Sequence, residues 1–268
     1  MHPTEAPLAT LSKLGNPLIP ADLDAGKVAA EWISSFSKFV EQRDINGILS
    51  TILDSQFSSN IFKPTSTSIN SDADTDFAVY WRDILALTWD FRTFEGTPKI
   101  KQFLVDQLGQ SKVVISNIQL QDGSQLQRPF PDLAWIQLMF TFETQSGLGS
   151  GIVRLVPVSE NPSGNIVWKA QAIFTNLDDL KGFPEKIGAL RNAEANHGKW
   201  ETEREKEVRF ENKDPVVLII GAGHSGLALA ARLKALDVSA LVIDKNQRIG
   251  DNWRTRYEAL CLHDPVCE

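Results

Sequence analysis

The strongest constraint on the fold of this chain is the aliphatic run Pro215-Val216-Val217-Leu218-Ile219-Ile220, continued at once by Gly221-Ala222-Gly223-His224-Ser225-Gly226. A continuous run of this kind suits a buried parallel strand, and a Gly-x-Gly-x-x-Gly turn placed directly after it opens a helix. Residues 227–237 continue as that helix, with alanines at 228, 230 and 231 small enough for close approach to a sheet. A second strand, 239–243, then ends in Asp244.

The spacing assigns a role to each position. Gly221 permits the tight strand-to-helix turn, Gly223 leaves no Cβ between backbone and a pyrophosphate, and Gly226 lets the helix pack on the strand. His224 and Ser225 line the turn, and the helix N-terminus offers free N–H groups and positive dipole to phosphate. Asp244, 18 residues past Gly226, stands where a carboxylate accepts hydrogen bonds from an adenosine ribose. It would repel a 2′-phosphate, so NADP is disfavoured at this site. FAD and NAD share the fingerprint, and the choice between them rests on the residues after Asp244.

Composition excludes several other functions. The net charge is −7 and the pI about 5.2, which gives no electrostatic footprint for nucleic acid or anionic membranes. No apolar run approaches the length of a membrane span, and the N-terminus lacks the charged-then-apolar pattern of a secretory signal. A cytoplasmic, soluble protein is expected. The two cysteines, Cys261 and Cys267, make no disulfide framework, and histidines at 2, 197, 224 and 263 have no metal-ligand spacing.

Ahead of the glycine turn the chain reads differently. Residues 1–22 look like a loosely held, flexible arm. Asp22 to Asp24 can cap a helix whose Val28, Trp32, Phe36 and Val40 share one face, and a short helix follows from Ile45 to Leu53. Residues 55–75, rich in Ser, Thr, Asn and Asp, read as a loop. Helical periodicity is expected again over 77–87 and 98–108. From Lys112 onward short aliphatic or alternating runs at 113–120, 133–143, 151–158 and 166–175 predict an antiparallel sheet joined by hairpins, with turn-formers at 121–124, 146–149 and 161–164. Helices early and strands late give an α+β domain with helices on one face of a curved sheet. The highly charged stretch 179–214 reads as a solvated connector.

The order of these elements, with Trp81-Arg82-Asp83 and the 88–96 segment containing Trp89, Asp90 and Arg92, resembles the cone-shaped NTF2-like fold over roughly 24–178. In that fold these side chains, Arg82 excepted, could line a pocket, although aromatic core plus surface salt bridges is the simpler reading. NTF2-like domains often pair through their sheets, which implies a homodimer.

After Asp244 come Lys245 and then Gly250-Asp251-Asn252-Trp253-Arg254, with His263 further on. From the residues alone Trp253 reads as a packed aromatic and Arg254 as a surface charge. The Gly-x-x-Trp-Arg segment is similar to that of the flavin-containing monooxygenases, where it turns the chain back along the flavin. The resemblance implies FAD as cofactor, NADPH as cosubstrate and oxygenation of a small-molecule substrate. It places Gly250, Trp253 and Arg254 near the FAD diphosphate or isoalloxazine, adds Lys245 to the cofactor-binding set, and puts His263 close to the flavin. It names no catalytic residue. A second Gly-x-Gly-x-x-Gly for NADPH is missing, so the chain reads as the start of a longer protein. Two alternatives remain: another two-dinucleotide flavoprotein oxidoreductase, or a non-catalytic NTF2-like binding protein with a remnant Rossmann unit. The expected domains are an arm at 1–22, the α+β cone at 23–178, the connector at 179–214, and the first β-α-β unit of a Rossmann-type FAD-binding domain at 215–268.

Overall fold

The computed structural model describes residues 8–54, 78–159, 165–191, 193, 195, 197–211, 214–256 and 258. The 55–75 loop, His263, Cys261 and Cys267 lie outside them. The chain divides into two compact units, residues 1–181 and 182–268. It has the expected fold class: an α+β cone, then a β-α-β unit of Rossmann type.

In the first unit, helix α1 (Ala25–Glu41) begins where Asp24 accepts a hydrogen bond from the Lys27 N–H at 3.0 Å, a side-chain cap for an otherwise orphaned donor. Its Trp32, Ile33, Phe36 and Val40 are buried, and the Trp32 indole N–H donates to Thr51 O at 3.1 Å. Asp44 caps α2 (Ile45–Ser50) in the same way. Helix α3 (Thr97–Leu104) runs on into a wide turn at Val105–Gly109 and buries Ile100, Phe103, Leu104 and Leu108.

These helices cover one face of a seven-stranded sheet: β1 (Tyr80–Ile84), β2 (Phe91–Glu95), β3 (Ser116–Leu120), β4 (Gln125–Phe130), β5 (Leu133–Glu143), β6 (Gly147–Ser159) and β7 (Ile166–Leu180). The order is β2-β1-β7-β6-β5-β3, with β4 sharing the outer edge of β5. Strand β5 alternates as expected, with Ala134, Ile136, Leu138, Phe140 and Phe142 inward and buried.

Several expectations are corrected here. Residues 80–84 are a strand and not part of a helix: Trp81 and Asp83, two apart, both face inward, and β1 pairs parallel with β7, Trp81 opposite Ile173 and Asp83 opposite Thr175. The sheet is therefore mixed, and strands β1 and β2 fall between helices in the sequence. Gly147 and Gly149 lie within β6 and do not end it. The turn is confined to residues 144–147, where the Thr144 N–H donates to Gly147 O at 2.9 Å. The N-terminal arm is tied down from Ala9 to Asn16: Leu14 is fully buried, the Leu11 N–H reaches Asp132 O at 2.7 Å, and the Ser159 N–H reaches Leu14 O at 3.0 Å.

In the second unit, β8 (Val217–Ile220) and β9 (Ala240–Ile243) pair in parallel around α5 (His224–Ala235). Of the aliphatic run only Ile219 is buried among the described residues. The expected burial on both faces is not seen, because one helix covers only one face of a two-stranded sheet. The charged stretch before it includes helix α4 (Trp200–Val208) and is fastened to the end of α5. The Lys186 N–H donates to Ala235 O at 2.7 Å, and ion pairs join Lys186 to Asp237 (2.9 Å) and Glu185 to Arg232 (3.1 Å).

Candidate dinucleotide site

The site forms where β8 turns into α5. Gly221 has φ +109°, a backbone state that only glycine adopts without strain. A carbon on Gly226 would lie 1.9 Å from Gly221 O, so the helix can come down onto the turn only if residue 226 has no side chain. Helix α5 has no side-chain cap, and Leu227 is the first residue in it whose N–H meets a helical acceptor, Gly223 O at 3.0 Å. The amides before it are the usual open donors of a helix start. A carbon on Gly221 would meet nothing within 4 Å, and one on Gly223 would meet only Asn252 Nδ2, at 3.1 Å. The space over Gly221 is therefore open, and that over Gly223 is bounded by the Asn252 carboxamide.

Asp244 leaves β9 beside this turn. Its Oδ2 accepts from the Ala222 N–H at 2.6 Å and its Oδ1 from the Asn246 N–H at 2.7 Å. The Asn246 amide first, then the Ala222 amide, hold this carboxyl below the usual carboxylate range, and the charge of exposed Lys245 adds to the effect. An ionised carboxylate keeps lone pairs for ribose hydroxyls beyond the two already used. Asp244 thus braces the glycine turn and faces solvent at once.

The third component is α6 (Asp251–Arg254), started by Gly250 in the left-handed region at φ +86°. Trp253 lies against His224, ring centroids 6.4 Å apart and tilted 52°. The Arg254 guanidinium turns back into its own loop, where one nitrogen donates to Asp251 Oδ1 at 2.9 Å and Ile249 O at 3.1 Å. Asp251 also pairs with Arg248 at 3.3 Å.

Gly221, Gly223, His224, Gly226, Asp244, Gly250 and Trp253 are thus drawn into one neighbourhood. Ser225 is exposed in the first turn of α5, and Lys245 is exposed beside Asp244. Asn252, Asp251 and the Ala222 amide belong to the same neighbourhood and were not expected. Nothing in their residue types marks them; Asp251 and Asn252 are placed by the left-handed turn at Gly250, and the Ala222 amide by the glycine turn it belongs to, where it meets Asp244. A cavity of about 770 Å³ in this unit lies elsewhere, between α4 and the α5–β9 side, lined by Phe210, Ala230, Lys234 and Leu241 among others.

In the first unit, the residues considered for a pocket separate. Trp81 is core, and Asp90 pairs with Arg92 at 2.7 Å on the surface. Asp83 is fully buried and accepts from the Leu87 and Thr88 amides and from the Thr88 and Thr175 hydroxyls, while the Trp81 indole donates to Thr175 Oγ1 at 3.2 Å. It closes the β1–β2 turn. Among the described residues no helix is long and apolar enough to cross a membrane.

A glycine-turned β-α-β unit with an acid at the end of its second strand is the opening arrangement of a Rossmann-type fold. Residues 219–264 match the family of NAD(P)-binding Rossmann-like domains. Over 49 residues the chain is 45% identical to an uncharacterized CzcO-like oxidoreductase of Geobacillus kaustophilus, covering 18% of this chain and 14% of that protein. Over 65 residues it is 45% identical to indole-3-pyruvate monooxygenase YUCCA1 of Oryza sativa subsp. japonica, covering 23% of this chain and 16% of that one. The matched segment is thus a small part of either relative. Among solved structures, a member of the NTF2-like family from Streptomyces avermitilis superposes with a TM-score of 0.37 at 11% identity, over 57% of this chain and 95% of that one. Both sequence relatives are oxidoreductases by name.

Proposed function

We propose that this chain carries the adenosine-diphosphate grip of an FAD-dependent monooxygenase that takes electrons from NADPH and oxygenates a small organic substrate. The observation that supports this best is the convergence of the Gly250–Arg254 turn on the glycine turn, with Trp253 against His224, since the Gly-x-x-Trp-Arg segment is what separates a flavin site from a generic NAD site. The likeness to the rice monooxygenase points the same way.

The residues present fit the cofactor. With no Cβ at Gly221 or Gly223, a pyrophosphate can approach the N-terminus of α5, where Gly226 holds the helix close. Asp244 takes the ribose hydroxyls as an ionised acceptor, and Ser225 and Lys245 flank the phosphate and ribose ends. Trp253 shields one side, and His263 stays assigned to the flavin end by resemblance. When bound, FAD supplies the redox and oxygen-transferring chemistry; these side chains bind and orient it. Asp244 would repel a 2′-phosphate, so NADPH belongs at a separate site. We assign the domains as an α+β cone that takes in the packed part of the N-terminal arm and runs to Lys181, a connector from 182 to 214 and the dinucleotide unit from 215.

Titration of the full chain with FAD, ADP and NADP⁺ tests the reading. FAD and ADP should bind and NADP⁺ should bind more weakly than ADP. Asp244→Ala should reduce FAD affinity about ten- to a hundredfold, the worth of a hydrogen bond to a charged group. Gly223→Val should abolish binding. NADP⁺ binding as tight as ADP would exclude the ribose assignment, and no binding of any nucleotide would make the front cone the working part of a non-catalytic protein.

A further inference from the structure

We propose that Asn252 is a phosphate-facing residue of the dinucleotide site and that Arg254 is the positioning residue that aims it. The inference rests on the dinucleotide reading above. It assigns the contact to a side chain that the Gly-x-x-Trp-Arg pattern leaves unspecified, and takes it from the arginine that the pattern names.

Arg254 is committed elsewhere. Its guanidinium donates to Asp251 Oδ1 and to Ile249 O, and it lies 3.6 Å from the place a Gly250 side chain would take. Its charge is therefore balanced within its own turn by a carboxylate that also holds Arg248. Both bonds come from Nη1, and they tie the guanidinium across its own turn. They fix the left-handed Gly250 turn, and that turn sets the direction of the next residues, Asn252 and Trp253.

Asn252 has the opposite character. Its Nδ2 is 3.1 Å from where a Cβ on Gly223 would be, which sets the carboxamide at the point where the chain needs glycine for a phosphate to approach. It is half-buried and makes no side-chain hydrogen bond among the described residues. A carboxamide brings two N–H donors and no charge. Beside the open amides of α5 it extends the donor cradle toward the same oxygens. The glycine at 223 then serves two neighbours, the phosphate and the carboxamide that would share it.

Equilibrium binding of ADP and of adenosine to the full chain and its variants decides this. Asn252→Ala should lower ADP affinity about tenfold, the effect of one hydrogen bond to a charged acceptor. Asn252→Asp, nearly isosteric but anionic, should lower it further. Adenosine, which has no phosphate, should bind all three proteins alike. Arg254→Met should lose about as much ADP affinity as Asn252→Ala, and the double variant should lose no more than the larger single loss, because both act through one contact. Unchanged ADP affinity in Asn252→Asp, with wild-type binding intact, overturns the assignment of Asn252. Additive losses make Arg254 a direct ligand and overturn its positioning role. If the wild-type chain binds neither ADP nor adenosine, the dinucleotide reading fails and this inference fails with it.

Discussion

At Gly226 an added carbon would sit 1.9 Å from Gly221 O, a backbone contact that no rotamer change relieves. Gly226→Ala should therefore abolish ADP binding and amide-exchange protection at β8, while protection in the first unit stays as in wild type. Asp244 makes a second residue-scale statement. Its carboxyl is held below the ordinary value by two backbone amides, so a folded-state value lower than the unfolded one contributes stability above the usual carboxylate range. That contribution is lost progressively as pH falls from the unfolded value to the depressed folded one. Carbon-detected NMR should show the Asp244 carboxyl titrating below the ordinary aspartate range, and ADP affinity should not change between pH 8 and about pH 5 through this group. Asp83 is the corresponding point in the cone. Asp83→Ala removes the acceptor of several buried donors, and urea denaturation should show a loss of about 3 kcal/mol or more, because unsatisfied buried polar groups retain their full desolvation cost.

Strand β6 shows how an element can contradict its own composition. Glycine is a poor strand former, yet Gly147, Gly149 and Gly151 all lie within this strand. The partner side chains explain it: a carbon on Gly149 would be 2.5 Å from the Phe142 ring, and one on Gly151 2.3 Å from the Phe140 ring and 2.8 Å from Phe174 O. The rings of β5 lie over the bare backbone of β6. Gly151→Val should therefore cost about 1–3 kcal/mol through overpacking, read as a lower urea midpoint. Strand β1 was hidden for a different reason. Its inward residues, Trp81 and Asp83, include a buried acid, so the apolar alternation that marks a strand is broken where the hydrogen-bonded turn needs it.

Across the full chain, each unit has its own chemistry of cohesion. The first has a continuous apolar core running from Leu14 to Ile173, and a chain of residues 1–181 should fold alone, with the near-ultraviolet spectrum and thermal midpoint that the first unit has in the full protein. Among the described residues the second unit has one buried aliphatic in its sheet and several exposed ion pairs, such as Lys186 with Asp237, Arg232 with Glu185 and Lys234 with Glu207. Exposed pairs are screened and individually worth about 0–1 kcal/mol. Raising salt from about 0.05 to 1 M should therefore lower the unfolding midpoint of the second unit and leave that of the first nearly unchanged, as followed by differential scanning calorimetry.

Residue order alone was enough wherever the cause is local. The strand, glycine turn, helix and second strand around residues 216–244 were legible because each step depends on residues a few positions apart: φ at Gly221, room at Gly226, an acid at a strand end. The α1 cap and the alternation of β5 were legible for the same reason. Other features emerge only when the chain is packed, because they depend on partners far away in the sequence. The parallel pairing of β1 with β7, the glycines of β6 beneath the Phe140 and Phe142 rings, and the burial of Leu14 beside Ser159 have no signature within any short window. The same holds at the site: the residues alone made Arg254 a surface charge and the family resemblance set it near the cofactor, whereas the turn at Gly250 folds that cation onto Asp251 and brings Asn252 to Gly223.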